Sequence, residues 1–172
     1  MITSAKFLSV IFVTLALCLC AGERNTCSQE AIPPDTRIIL QRTNCFFTCP
    51  EYDVTISADG RVIYFGKANV KVKGEAHSKI SPEKVLSLID MIRKAKFFSL
   101  KDTYVSTEDG CRIYDADGSS ALTSIVIGGK TKSVSHYEGC HPKHKNALKA
   151  LIRLEEYIDE IANTTQWVDD RR

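Results

Sequence analysis

The chain has 172 residues, 44% of them hydrophobic, with 23 Lys and Arg against 21 Asp and Glu for a formal net charge of +2. That length suits one domain with a real core. The near-neutral charge excludes the strong basic excess of a nucleic-acid binder, and no apolar run reaches the roughly 20 residues that a membrane-spanning helix needs.

Residues 1–22 begin with a short segment carrying Lys6, continue through an apolar run at 7–20 (FLSVIFVTLALCLC) and end in Ala21 and Gly22. A charge, a short apolar run and small residues in that order predict a secretory signal peptide, and with it a secreted or periplasmic mature chain starting at Glu23. A lipid anchor at Cys18 or Cys20 is disfavoured, because Leu precedes each where a small residue is needed. Losing Lys6 leaves 22 − 21 = +1, and losing two of the seven cysteines leaves 7 − 2 = 5: Cys27, Cys45, Cys49, Cys111 and Cys140. Cysteines tend to pair in an oxidising compartment, and an odd number leaves one free or bridged to another chain.

Residues 23–36 read as a polar linker ending in the turn Pro33-Pro34-Asp35. Residues 37–42 (RIILQR) are a short apolar run suited to a buried strand. After the loop 43–50, Tyr52, Val54 and Ile56 alternate with polar neighbours as in a half-buried strand. Asp59-Gly60 suits a tight hairpin turn, and residues 61–65 (RVIYF) form the returning strand. Val70, Val72, Gly74 and Ala76 alternate with Lys71, Lys73 and Glu75, predicting a further strand over 70–76. Ser81-Pro82-Glu83 opens a helix with a cap and a proline at its first position. Val85, Leu88, Ile89 and Ile92 form its apolar stripe, fading near Ala95 before Phe97-Phe98. Residues 101–119 read as loop. Residues 121–127 and 130–137 flank Gly128-Gly129 as a second hairpin, and Pro142 predicts the start of a helix to about Ala162, with Leu151, Leu154, Ile158 and Ile161 as its stripe.

The expected fold is therefore α+β: a mostly antiparallel sheet of about five to six strands with two helices packed on one face, formed by residues 37–168 as a single domain. The last helix carries Lys143, His144, Lys145 and Lys149 early and Glu155, Glu156, Asp159 and Glu160 late. The helix dipole favours the reverse, and the charges are expected to form a solvated face.

The stretch 42–52, RTNCFFTCPEY, resembles the opening R-T-x-C-F-x-x-C-P-x-Y motif of an uncharacterised bacterial domain-of-unknown-function family, with Arg42, Pro50 and Tyr52 as its marks besides the cysteines. Phe47 stands where glycine is expected. The likeness continues through Asp59-Gly60-Arg61-Val62, Tyr64-Phe65-Gly66, Phe97-Phe98-Ser99-Leu100 with Tyr104, Thr107 to Asp109, His136-Tyr137-Glu138-Gly139, and the ending from Leu154-Glu155 to Trp167. The resemblance implies a fold and an exported setting. It supplies no reaction, substrate or catalytic residue.

Cys45 and Cys49 would lie about 13 Å apart in an extended strand, so they bridge only if their loop turns back. A structural bridge or buried thiols is the favoured reading, and a redox-active pair the alternative. Cys111 and Cys140 flank the second hairpin and are the favoured second pair, leaving Cys27 as the odd one. His136, Cys140, His141 and His144 are the densest cluster of metal-ligating types, and Cys111 could complete a set with His136, Cys140 and His144. A disulfide competes for the same sulfurs, so zinc is the minor alternative and no cofactor is expected. Residues 115–119 (DADGS) resemble part of a calcium loop without its later acidic ligands and are expected to be a turn. Asn163-Thr164-Thr165 is a glycosylation sequon. Tyr52, Tyr64 and Tyr104 are read as packing aromatics before recognition ones.

No serine sits in a nucleophile elbow, and there is no phosphate loop or H-E-x-x-H. The expected function is a non-enzymatic binding or interaction module for an unknown protein or small ligand, with loops 43–50, 103–119 and 138–144 as its working edge. The alternative is a thiol-redox or zinc-dependent enzyme.

Overall fold

A computed structural model describes residues 31–46, 48–113, 117–142 and 145–168. The predicted signal peptide, Cys27, most of the linker, Asp115 and His144 lie outside these residues.

Strand β1 (Arg37–Arg42) pairs antiparallel with β2 (Glu51–Ser57), which turns at Asp59-Gly60 into β3 (Arg61–Ala68). Gly60 takes a φ of 78° there, and a Cβ on it would lie 2.3 Å from the Ile80 carbonyl oxygen. Only glycine meets both demands. β4 (Gly74–Lys79) adds the outer edge. On the other side of β1 lie β7 (Ser120–Ile127), β8 (Lys130–Tyr137) and the two-residue β5 (Thr103–Tyr104), which runs parallel to β8. The order is β4-β3-β2-β1-β7-β8-β5. A second, two-stranded sheet pairs β6 (Cys111–Ile113) with β9 (Cys140–Pro142).

Register places Ile38, Ile56, Val62 and Ile125 in one cross-strand row, and Leu40, Val54, Tyr64, Thr123 and Val134 in the next. All nine are buried. Helix α1 (Pro82–Lys94) contributes Val85, Leu88, Ile89 and Ile92, and α2 (Lys145–Ala162) contributes Leu151, Leu154 and Ile158 to the same core. The opposite face holds Ile39, Ile63, Phe65 and Leu122, none of them buried. The α+β architecture with both helices on one face is therefore as expected, with more strands than the sequence suggested.

Three local readings are corrected. The strand expected at 70–76 begins only at Gly74, because residues 69–73 fold back over Gly66. A Cβ at Gly66 would lie 2.0 Å from the Val72 carbonyl oxygen, and the Val72 N–H donates to the Trp167 carbonyl at 3.0 Å. Asn69 (φ 55°) and Gly74 (φ 82°) make the necessary turns. Pro142 closes β9, and α2 starts at Lys145. The region read as loop at 101–119 contains β5 and β6, whose short polar strands lack alternation long enough to see.

Gly128 and Gly129 both take positive φ in the second hairpin, as their sequence predicts. Their N–H groups donate to the Asp35 carboxylate at 2.9 and 2.6 Å, which holds Asp35 below the usual carboxylate range.

Candidate functional site

The third row across the helix-covered face is polar. It runs Tyr52 on β2, Arg42 on β1, Ala121 on β7, His136 on β8 and Tyr104 on β5. Each follows from strand alternation: Arg42 continues the inward register of Ile38 and Leu40, and His136 that of Val134. Above the row, Glu155 and Asp159 descend from α2. Glu155 occupies the apolar stripe with Leu151, Leu154 and Ile158, and is only 1% exposed.

The two acids organise the row. Asp159 Oδ2 accepts from Arg42 Nε at 3.1 Å and Nη2 at 2.9 Å, while its Oδ1 accepts from the Tyr52 hydroxyl at 2.8 Å and Thr164 Oγ1 at 3.1 Å. Glu155 Oε1 accepts from Thr123 Oγ1 at 3.2 Å, and Oε2 lies 3.1 Å from His136 Nδ1 and 3.9 Å from Arg42 Nη1. Burial works against the charge on Arg42, but the carboxylates of Asp159 and Glu155 outweigh it and hold the guanidinium above its ordinary value. Burial, reinforced by the Asp159 charge, pushes the Tyr52 phenol up as well.

Beside this network is a cavity of about 380 Å³, lined by Arg42, Cys49, Pro50, Tyr52, Ser119, His136, Glu138, Ile152 and Glu155 among others. Its size falls within the range of small-molecule sites. Ser119, just ahead of β7, is a small residue of this wall. His136 is 2% exposed and its Nε2 has no hydrogen-bond partner among the described residues. A second concavity of about 500 Å³ lies between α1 and the Gly128 turn, rimmed by Arg93, Lys96 and Lys130 around Phe97 and Phe98. It contains none of the unpartnered buried polar atoms.

The motif residues Arg42, Pro50 and Tyr52 come together with His136, Glu138 and Glu155, which are far from them in sequence. Cys45 and Cys49 form a disulfide with Cα atoms 5.3 Å apart, and Cys49 forms part of the cavity wall. The loop that brings them together is tied down by Asn69 Nδ2, which donates to the Cys49 carbonyl and to Asn44 Oδ1, each at 3.1 Å. Cys111 and Cys140 form the second disulfide, with Cα atoms 4.9 Å apart, between β6 and β9.

The zinc alternative of Cys111, His136, Cys140 and His144 is corrected by that bridge. Both sulfurs are consumed in it, His136 Nδ1 is engaged by Glu155, and His144 lies outside the described residues. No group of three metal-ligating side chains gathers among the described residues. Tyr64 and Tyr104 are buried in the core, while Tyr52 is buried and also borders the cavity. Among the described residues no helix is long and apolar enough to cross a membrane.

Sequence reasoning missed Glu155, Asp159, Thr123, Ser119 and Thr164. Glu155 was expected on a solvated face, yet it turns inward. The available signal was its spacing: an acid at i+4 from Leu151 and i−3 from Ile158 belongs to the buried stripe.

No curated protein matches the chain. The family model described as a domain of unknown function, DUF6438, matches residues 36–162. The chain belongs to this family of domains of unknown function.

Proposed function

We propose that the chain is an exported, disulfide-braced binding module that takes a small ligand in the cavity between β1, β8 and α2. In this reading residues 1–22 are a signal peptide removed on export, 23–36 a linker, and 37–168 the working domain. The observation that carries the binding role is His136 Nε2. A purely structural network satisfies its buried polar atoms, since leaving one unpaired costs about 1–3 kcal/mol. Here the carboxylates of Asp159 and Glu155, the hydroxyls of Tyr52, Thr123 and Thr164, and Arg42 Nε and Nη2 are bonded, and the unpaired His136 atom belongs to a ring in the cavity wall. Two disulfides support an oxidising compartment.

The test is a small-molecule screen against the wild type and Ile152→Trp. Ile152 is a half-buried wall residue of α2 whose enlargement fills the cavity. Ligands that bind the wild type and are lost in a folded Ile152→Trp variant are expected. Ligands that bind both equally would contradict the assignment.

A second reading, an enzyme with His136 as general base, is favoured by one observation: Glu155 holds Nδ1, the arrangement that orients a base. Turnover of a bound ligand that vanishes in His136→Gln would favour it over simple binding.

A further inference from the structure

The chemistry of the ligand follows from the hydrogen-bonding capacity and the charge that the cavity wall leaves over. A carboxylate only accepts, so the 3.1 Å contact between His136 Nδ1 and Glu155 Oε2 assigns the ring proton to Nδ1 and leaves Nε2 with a lone pair. The His136 side chain is 3% exposed, and Nε2 has no partner among the described residues. The wall therefore holds one buried acceptor that calls for a donor.

Charge points the same way. Among the described residues the wall carries the carboxylates of Glu138, Glu155 and Glu156 against the single guanidinium of Arg42. Arg42 is already engaged: Nε and Nη2 bond Asp159, and Nη1 lies 3.9 Å from Glu155 and 3.8 Å from Glu138. Asp159 and Glu155 alone outweigh its charge, so Glu138 and Glu156 are surplus negative charge. Both stand toward solvent, the Glu138 side chain being 48% exposed. Contacts of 3.8, 3.9 and 3.1 Å lead from Glu138 through Arg42 and Glu155 to His136, so the surplus charge and the open lone pair belong to one stretch of wall. A cation there gains Coulomb attraction in a partly desolvated place. No three metal-ligating side chains gather among the described residues, which favours an organic cation over a metal ion. An ammonium carries three N–H donors on a compact head, one for His136 Nε2 and the others for the rim carboxylates. Pro50, Ile152 and Val168 complete the wall with apolar surface, suited to an alkyl stem.

We propose that this cavity binds a primary alkylammonium, with His136 Nε2 accepting one N–H, Glu138 and Glu156 supplying the counter-charge, and Pro50, Ile152 and Val168 enclosing the alkyl stem. This rests on reading the cavity as a ligand site.

The test is a ¹⁵N NMR titration of the oxidised protein with butylamine, acetyl-lysine amide, butanol, butyltrimethylammonium and butanoate. Binding of butylamine alone identifies a free amine as the source of the ammonium, binding of acetyl-lysine amide alone identifies a lysine side chain, and binding of both shows that the cavity reads the shared head. Butanol, which lacks the charge, and butyltrimethylammonium, which lacks the N–H, should each bind at least about tenfold more weakly. In the complex His136 Nε2 should shift and stay unprotonated. Glu138→Gln and Glu156→Gln should each weaken amine binding by about two- to fivefold, as loss of an attracting rim charge does, and a folded Ile152→Trp should abolish it. Butanol or butyltrimethylammonium binding as well as the amine, preferential binding of butanoate, a protonated Nε2 in the complex, amine binding unchanged in both glutamine variants, or amine binding retained in Ile152→Trp would each overturn the ammonium assignment. If none of the five probes binds while the wider screen yields ligands lost in Ile152→Trp, the ammonium assignment falls and the cavity remains. If the wider screen also yields none, both fall.

Discussion

His136 Nδ1 and Glu155 Oε2 lie 3.1 Å apart beneath α2, both side chains almost wholly buried, and this contact ties the helix to the far side of the sheet. Glu155 is also the link to Thr123 and the neighbour of Arg42. Glu155→Ala should therefore cost about 3–5 kcal/mol, because it leaves a buried histidine, a buried hydroxyl and part of the Arg42 charge uncompensated. Glu155→Gln keeps the shape and should cost clearly less. Urea unfolding of the two variants checks the order, and equal losses would show that packing alone matters at this position.

The two disulfides should differ in strength and accessibility. Cys111 and Cys140 are separated by 29 residues and each is 4% exposed, whereas Cys45 and Cys49 are separated by four and are half-buried. Chain-entropy arguments give about 3–4 kcal/mol for the longer loop and about 2 kcal/mol for the shorter. The Cys45–Cys49 bridge should be reduced first by added thiol, since access governs exchange. Timed alkylation with mass spectrometry reads the order. Reduction of Cys111–Cys140 first would contradict the burial argument.

Stability should fall in alkali. Burial holds the Tyr64 phenol up to about 12, and Tyr52 is also raised. An unfolded phenol ionises near 10. The folded state therefore keeps protons that the unfolded state loses, so this contribution is complete below pH 10 and disappears as pH rises through the folded values. Urea midpoints should stay level to about pH 10 and then drop. Tyr64→Phe should lessen the drop and change stability at pH 7 by within about 1 kcal/mol, since the Tyr64 hydroxyl has no partner among the described residues. A large loss at pH 7 would show a partner for that hydroxyl.

Much of the fold was legible because its signals are local. Asp59-Gly60, Gly128-Gly129 and Pro82 each set a backbone geometry by themselves, although Ser81 stands at the N-cap of α1 without the side-chain cap bond expected of it, and β2, β3 and β7 alternate cleanly. β5, β6 and β9 are two or three residues long, too short for a period. The strand misplaced at 70–76 shows the limit of alternation: the close passage over Gly66 depends on Trp167, nearly 100 residues away. The site was legible only in part. Arg42 and Tyr52 were marked by a motif, and His136 stood out as a candidate ligand with the wrong partner. Glu155 and Asp159 were hidden by the habit of placing acids in solvent. Their position against the helix dipole has its compensation in Arg42, Tyr52 and His136, which lie on three other elements.

The central claim, that the cavity at His136 is a ligand site, is tested most directly by amide and histidine-ring NMR of the uniformly ¹⁵N-labelled, oxidised chain during a fragment titration. The account predicts shifts concentrated at Arg42, Tyr52, Ser119, His136, Glu138 and Glu155, with the His136 ring among the strongest. A saturating ligand that leaves the His136 ring unmoved and shifts residues elsewhere, such as those around Phe97 and Lys130, would contradict it.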